Sequence, residues 1–488
     1  MFISLAILVL TAARTAFGQT GVNCTHPTAF YDQTIDHNAT KSGTFKQQYQ
    51  LILDYYKPGG PILFMQGAET ANLSCLEYMV FEDWAPALGA AVVQLEHRFF
   101  GVSNPSTASN VTERYETLTL DNVLLDSVTF VEYLKKNNTE LNNAKVIAHG
   151  GSYGGWLSAL LRLNYPQTFY GSIAWAGPTE SFGPDSSDPA RGYWYTFLSN
   201  IYSSYSAEVA AKIKAALATY QGYIKTGIGI TSISEKDSND LSGTNYEDLA
   251  HGLNLCEVPQ NTSDLDFIYQ TQILNAYTAN SQFSYGVLPG IPGLTANPFN
   301  EALNLTLEAN GTFEVLNASL SVLFKGSCVD WTGENAFDLA GAEQVPFQYL
   351  ECRYFPISAD LVTNGTIFPA ASLGYSNNRA QFCSETYNMT IPTLQELSTE
   401  YHFTSNDLLA ATHLLFTFGT LDPVSSWAPW ELYQRMTPNR NASSLIVVPE
   451  GGHTEDSFNP SFLTKPGVLQ AQKFELEYIK EWLGITAY

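Results

Sequence analysis

The run Val146-Ile147-Ala148-His149-Gly150-Gly151-Ser152-Tyr153-Gly154-Gly155-Trp156-Leu157-Ser158-Ala159-Leu160-Leu161 changes character twice. Apolar residues open it, glycines surround a serine at its middle, and a helical pattern closes it. Strand, tight turn and helix are the setting in which Gly-x-Ser-x-Gly forms a nucleophile elbow. Glycines lack side chains, so strand and helix can approach closely and Ser152 can take a strained backbone conformation. The strain holds Oγ out at the carboxyl edge of a sheet, where it can attack a carbonyl carbon. The chemistry so implied is hydrolysis through a covalent intermediate.

Outward from the elbow, strands and helices alternate. Residues 49–54 and 61–65 read as strands, 76–88 as a helix and 91–95 as a short buried strand. An amphipathic helix over 120–136 follows, with Val123, Leu124, Val128, Val131 and Leu134 on its stripe. Another strand is expected at 172–176, after the elbow helix. The block from 178 to 335 differs. It opens with a loop, continues into helical patterns such as 207–220, and carries polar or glycine-rich spacers such as 232–244. It reads as a mainly helical insertion. Strands resume at 414–418 and 444–448, and 468–482 closes as a helix with Leu469, Phe474, Leu476, Ile479 and Trp482 inward. Such alternation implies a mainly parallel sheet covered by helices on both faces.

Ser152 needs a base to remove its proton, and the base needs an acceptor to set its tautomer. In an α/β-hydrolase the chain order is Ser, then Asp or Glu, then His, each on a loop after a strand. Asp422 follows the strand at 414–418, and His453 follows the strand at 444–448 through Pro449-Glu450-Gly451-Gly452. His149 lies on the strand entering the elbow, His97 precedes Ser152, His402 and His413 flank a helical segment, and neither Asp330 nor Asp456 ends a strand in the required order. An oxyanion hole needs two backbone N–H groups. Tyr153 supplies one candidate; Gly67 or Ala68, on the loop after an early strand, supplies the other.

Bulk properties bound the setting. The chain has 488 residues, is 45% hydrophobic and 14% charged, and carries a net charge of −24. A large core is within its means, and nucleic acid or anionic membrane surfaces are excluded as partners. Residues 1–18 read as a secretory signal, since the apolar run is too short to span a membrane and small residues follow it. The expected division is then 19–177 for the first part of the hydrolase domain, 178–335 for the cap and 336–488 for the second part. Glycosylation signals at Asn23, Asn38, Asn72, Asn110, Asn137, Asn261, Asn304, Asn310, Asn317, Asn364, Asn388 and Asn441 fit an exported chain. Six cysteines (Cys24, Cys75, Cys256, Cys328, Cys352, Cys383) favour disulfides, with fifteen connectivities open. No C-x-x-C pair suggests a metal, no cofactor is expected, and no later segment is apolar for long enough to enter a membrane.

The chain also resembles a known family, the serine peptidases of lysosomal Pro-X carboxypeptidase, dipeptidyl peptidase II, thymus-specific serine peptidase and fungal acid prolyl endopeptidases. The matching stretches begin with Asp36-His37, Gly60-Pro61-Ile62-Leu63-Phe64 and Glu96-His97-Arg98-Phe99-Phe100-Gly101. They continue with Leu118 to Asn122, the elbow, Asn164-Tyr165-Pro166, Gly419 to Pro423, and Gly451-Gly452-His453. The resemblance implies an α/β-hydrolase fold with a helical cap, a Ser152–Asp422–His453 triad, and cleavage after proline, often at acidic pH. Peptide or protein substrates, a homodimer, and a secreted or acidic vacuolar or lysosomal location go with it. It implies a Cys352–Cys383 bridge, beside which Cys256 is paired with Cys328 and Cys24 with Cys75. For Glu96, His97 and Arg98 a structural role, bracing the sheet edge, is expected.

Three departures bear on specificity. Relatives usually have Asp-Pro-Trp where this chain has Asp422-Pro423-Val424, a second histidine where Thr454 stands, and Gly-Asn-Glu-Gly where Gly67-Ala68-Glu69-Thr70 stands. Glu69 and Val424 are therefore the candidate substrate-contacting residues, with a pocket open to proline or other small apolar side chains. Exopeptidase action, as a carboxypeptidase or dipeptidyl peptidase, is the expectation, with endopeptidase action left open by the sequence. A lipase or carboxylesterase using the same triad, or a non-catalytic relative of the fold, are the rival readings.

Overall fold

The computed structural model describes residues 24–70, 72–180, 193–228, 245–285, 297–332, 344–354, 366–369, 379–433 and 440–485. Eight strands form one sheet: β1 (Thr28–Thr34), β2 (Thr44–Ile52), β3 (Ile62–Gln66), β4 (Ala91–Leu95), β5 (Val146–Gly151), β6 (Gly171–Trp175), β7 (Leu414–Gly419) and β8 (Ser444–Val448). Their spatial order is β1-β2-β4-β3-β5-β6-β7-β8. β2 is antiparallel to both neighbours, and every pair from β4 to β8 is parallel. This is the α/β-hydrolase sheet expected from the sequence.

Side chains alternate along a strand, so each central strand feeds two apolar layers. β3 sends Ile62 and Phe64 into one and Leu63 and Met65 into the other; β7 likewise separates Leu414, Phe416 and Phe418 from Leu415. Helices Leu120–Asn137 and Tyr153–Asn164 cover the first layer, and Phe81–Leu88 and Pro466–Leu483 the second. Burial on both faces is why these strands read as unbroken apolar runs.

The strand expected over 49–54 is β2, which runs earlier, over Thr44–Ile52, and two further local expectations differ. β1 was not anticipated, because this edge strand is mostly exposed or half-buried and its only apolar run is the three residues Ala29-Phe30-Tyr31. The helix expected over 76–88 is split into a 3-10 turn, Leu76–Tyr78, and the helix Phe81–Leu88. Met79 and Val80 instead pair with the distant segment at Ser457 and Phe458: Val80 N–H donates to Ser457 O at 2.8 Å, and Asn459 N–H to Tyr78 O at 2.7 Å. Tertiary pairing thus overrides a local helical pattern.

Between β6 and β7 every described element is helical, from Tyr193–Tyr205 to Ser405–Ala410. The expected boundary at residue 335 lies outside the described residues. Helix Leu274–Gln282 continues from a π-helical turn, Tyr269–Ile273, and all nine of its residues are buried. Disulfides join Cys24 to Cys75, Cys256 to Cys328 and Cys352 to Cys383. Residues 1–18, Asn23 and Asn364 lie outside the described residues. The other glycosylation signals are exposed, apart from half-buried Asn317. Among the described residues no helix is long and apolar enough to cross a membrane.

Candidate active site

β5 ends at Gly151 and the helix Tyr153–Asn164 begins two residues later, leaving Ser152 alone at the turn. Its φ of 57° and ψ of −124° lie where residues with a side chain are strained. The surrounding glycines make that turn possible. A Cβ on Gly150 would lie 2.1 Å from Gly154 O, and one on Gly155 2.7 Å from Trp175 O. Ser152 N–H donates to Trp175 O at 2.8 Å, tying the turn to β6. Tyr153 opens the helix, so its amide belongs to the N-terminal turn, where backbone N–H groups favour negative charge.

The loops after β7 and β8 are stitched together. Leu421 N–H donates to Gly451 O at 2.9 Å, and a Cβ on Gly419 would meet that same oxygen at 2.2 Å. The stitching brings Asp422 Oδ2 to 2.6 Å from His453 Nδ1, with both side chains fully buried. Asp422 Oδ1 accepts from Val424 N–H at 3.0 Å, which satisfies the second oxygen. With Nδ1–H donating to a carboxylate, His453 Nε2 carries the lone pair. That nitrogen is buried and makes no hydrogen bond among the described residues. Ser152 and His453 are not hydrogen-bonded there, although their chain neighbours lie close: a Cβ on Gly151 would lie 3.0 Å from Thr454 Cγ2.

The loop after β3 closes a third side. A Cβ on Gly154 would lie 3.2 Å from Ala68 Cβ, while Gly67 is wedged against β4, its Cβ position 2.3 Å from Leu95 O. A cavity of about 70 Å³ is lined in part by Gly67, Ala68, Gly151 and Thr454, so the early loop, the elbow and the histidine loop share a wall. Glu69 is buried beside this loop, neither carboxylate oxygen has a hydrogen-bond partner among the described residues, and burial pushes its pKa up to about 7. Val424 is buried in the core beside Asp422.

Glu96, His97 and Arg98 brace the sheet edge. Glu96 Oε2 accepts from Val102 N–H, Ser103 N–H and Ser103 Oγ–H at 3.0, 2.9 and 2.6 Å. Arg98 forks onto Asp126 at 2.7 and 2.5 Å and donates to the carbonyls of Thr34, Ile35 and Thr117. His97 has a contact that the sequence did not foretell. Its Nδ1 lies 2.7 Å from Arg98 O, which can only accept, so Nδ1 carries the proton and Nε2 accepts from Tyr153 Oη–H at 3.0 Å. Burial lowers the imidazole to about 4, so it stays neutral. The residue after the serine is thereby anchored to β4's end.

The rival residues sit elsewhere. His149 is enclosed by Phe81, Trp84 and Trp175, and His413 packs on Tyr170 and Trp482. Asp456 is buried with Glu475, and burial raises both carboxyls.

A sequence model described as serine carboxypeptidase S28 matches residues 33–286. The chain belongs to that family. It is 26% identical to the prolyl carboxy peptidase like protein 5 of Caenorhabditis elegans over 522 residues, covering 99% of this chain and 97% of that protein. It is 24% identical to the lysosomal Pro-X carboxypeptidase of Bos taurus over 465 residues, covering 93% and 87%. The probable extracellular serine carboxypeptidase of Arthroderma benhamiae is 30% identical over 176 residues, 33% of this chain and 24% of that one. As an S28 member, the protein is a serine-type peptidase.

Proposed function

We propose that Ser152 is the nucleophile, His453 the general acid–base and Asp422 the residue that orients it. His453 Nε2 takes the Ser152 proton as Oγ bonds to the scissile carbonyl carbon. The imidazolium then gives that proton to the leaving nitrogen as the C–N bond breaks, leaving an acyl-enzyme. Water, deprotonated by the same nitrogen, releases the acyl group. The amides of Tyr153 and of Gly67 or Ala68 are the proposed oxyanion donors, supported by the placement of Ala68 beside Gly154, where a Cβ on Gly154 would lie 3.2 Å from Ala68 Cβ. The observation that carries the reading is the buried 2.6 Å Asp422–His453 bond, formed on the loops after β7 and β8.

We further propose exopeptidase action, as a carboxypeptidase or dipeptidyl peptidase, with preference for proline or a small apolar residue before the cut. Relatives described as prolyl and Pro-X carboxypeptidases support carboxypeptidase action at proline, and Val424 in place of an aromatic side chain argues for the wider preference. The proposed cap is the helical region beginning near residue 178, and Glu69 and Val424 are the proposed substrate-side residues. Export to an extracellular or lysosome-like space, glycosylation and a homodimer complete the proposal. Three disulfides, exposed acceptor asparagines and relatives described as lysosomal and extracellular support the first two. The homodimer follows from the family resemblance.

Mass-spectrometric cleavage profiling of a peptide library at acidic and neutral pH, with wild type and Ser152→Ala side by side, tests the whole reading. Cuts one or two residues from a terminus, absent with Ser152→Ala, are expected. Near-wild-type turnover by Ser152→Ala, or phosphonate labelling of another residue, overturns it.

A further inference from the structure

We propose that the end of helix Leu274–Gln282, with the turn Phe283-Ser284-Tyr285, is the clasp that positions the Asp422–His453 pair. The inference rests on the triad assigned above.

Both catalytic loops are held at the backbone by this one segment. Ser281 Oγ–H donates to Leu421 O at 2.6 Å, one residue before Asp422. Gln282 O accepts from His453 N–H at 2.7 Å. Tyr285 Oη–H donates to His453 O. The peptide groups on either side of His453 Cα are therefore both tied to the same short stretch. Beside them, Lys465 Nζ bonds Ser284 O and pairs with Glu455 at 2.8 Å, whose Oε2 also accepts from Gly452 N–H at 2.8 Å. The approach is close enough that a Cβ on Gly452 would lie 2.8 Å from Gln282 O.

The histidine loop has little regular structure of its own: a 3-10 turn over Glu455–Ser457, with Glu450 and Thr454 both at positive φ. Fixing its carbonyls and amides from outside restricts where the imidazole can stand. A general base must meet its proton at hydrogen-bonding distance, and displacement by 1 Å costs about 100-fold in rate. The fixing element is rigid: every residue of the helix is buried, and Tyr285 is buried with its ring packed on Phe458 at 5.5 Å between centroids. The helical region thus contributes to the base's geometry as well as standing over the sheet. Tyr285 and Ser281 are positioning residues, acting through backbone atoms of the reacting groups' own loops.

The experiment compares wild type, Tyr285→Phe, Ser281→Ala and Ser152→Ala as full-length secreted protein. Turnover is measured on the peptide cut fastest in the library, together with the second-order rate of labelling by a fluorophosphonate. Tyr285→Phe keeps the ring and its packing and loses only the hydroxyl. The expected result is a fall of about 10-fold in both kcat and labelling rate, with KM within about 2-fold, from displacement of well under 1 Å. A packing role alone predicts no change in kcat for this variant. Ser281→Ala is expected to lower kcat in the same way through Leu421. Should Tyr285→Phe fail to fold, Ser281→Ala decides by the same criterion. Wild-type kcat in the folded clasp variants, with Ser152→Ala inactive, overturns the clasp and leaves the triad standing. Activity in Ser152→Ala overturns the triad itself.

Discussion

Glu69→Gln isolates the energetic effect of one buried carboxyl. Glu69 is enclosed beside the early loop, with neither oxygen hydrogen-bonded among the described residues, and burial lifts its pKa from 4.5 to about 7. A raised carboxyl pKa means that the fold retains a proton the unfolded chain releases. Stability from this group is therefore present below pH 4.5 and is lost as pH rises towards about 7. At 1.36 kcal/mol per pKa unit, the shift implies a loss of about 3 kcal/mol across that window. Glutamine cannot titrate, so its cost, of order 1–3 kcal/mol for an unpaired buried amide, is the same at every pH. Glu96, Glu455, Asp456 and Glu475, also raised by burial, titrate alike in both proteins and cancel in the difference. Chemical denaturation at a series of pH values is the assay. The wild-type curve should fall more steeply than that of Glu69→Gln by about 3 kcal/mol over the window. Parallel curves would refute the reasoning.

Asp422→Asn should fold normally and lose about 10⁴-fold in kcat, because an amide no longer holds the proton on His453 Nδ1; steady-state turnover reads it. Ser152→Gly should be inactive yet at least as stable as wild type. Release of about 1–3 kcal/mol of strain at φ 57° outweighs about 0.5–1 kcal/mol of added chain entropy, as thermal melting would report. Gly150→Ala should abolish recovery of folded protein on expression, since its methyl would stand 2.1 Å from the backbone oxygen of Gly154. Gly222→Ala, in helix Ala207–Thr226 with nothing within 4 Å of the new methyl, should instead add up to about 1 kcal/mol in denaturation.

The parts of the fold legible in the sequence were those with a local signature. Buried parallel strands announce themselves as short apolar runs, so β4 and β8 fall where the sequence placed them. The final helix shows its stripe at Ile479 and Trp482, although Phe474, expected on that stripe, is exposed, and the elbow shows its glycines. β1 had no such signal, because an exposed edge strand needs no apolar face. The break at Met79 and Val80 depends on a segment almost 400 residues away in the chain, and no periodicity near residue 80 encodes it.

The same division runs through the candidate site. Residue type and chain order nominated Ser152, Asp422 and His453, because the elbow demands glycines around its serine and each partner follows a strand. The cysteine spacing left every pairing open. Only the tertiary structure decided that Glu69 loses its water, that His97 receives the Tyr153 hydroxyl, and that Ser281 and Tyr285 hold the loops of Asp422 and His453. Those contacts span 56, 140 and 168 residues of chain. A hydroxyl or a carboxyl has no fixed role in sequence. Its partner, and with it its energy and its pKa, exists only once the sheet has brought the distant loops to one edge.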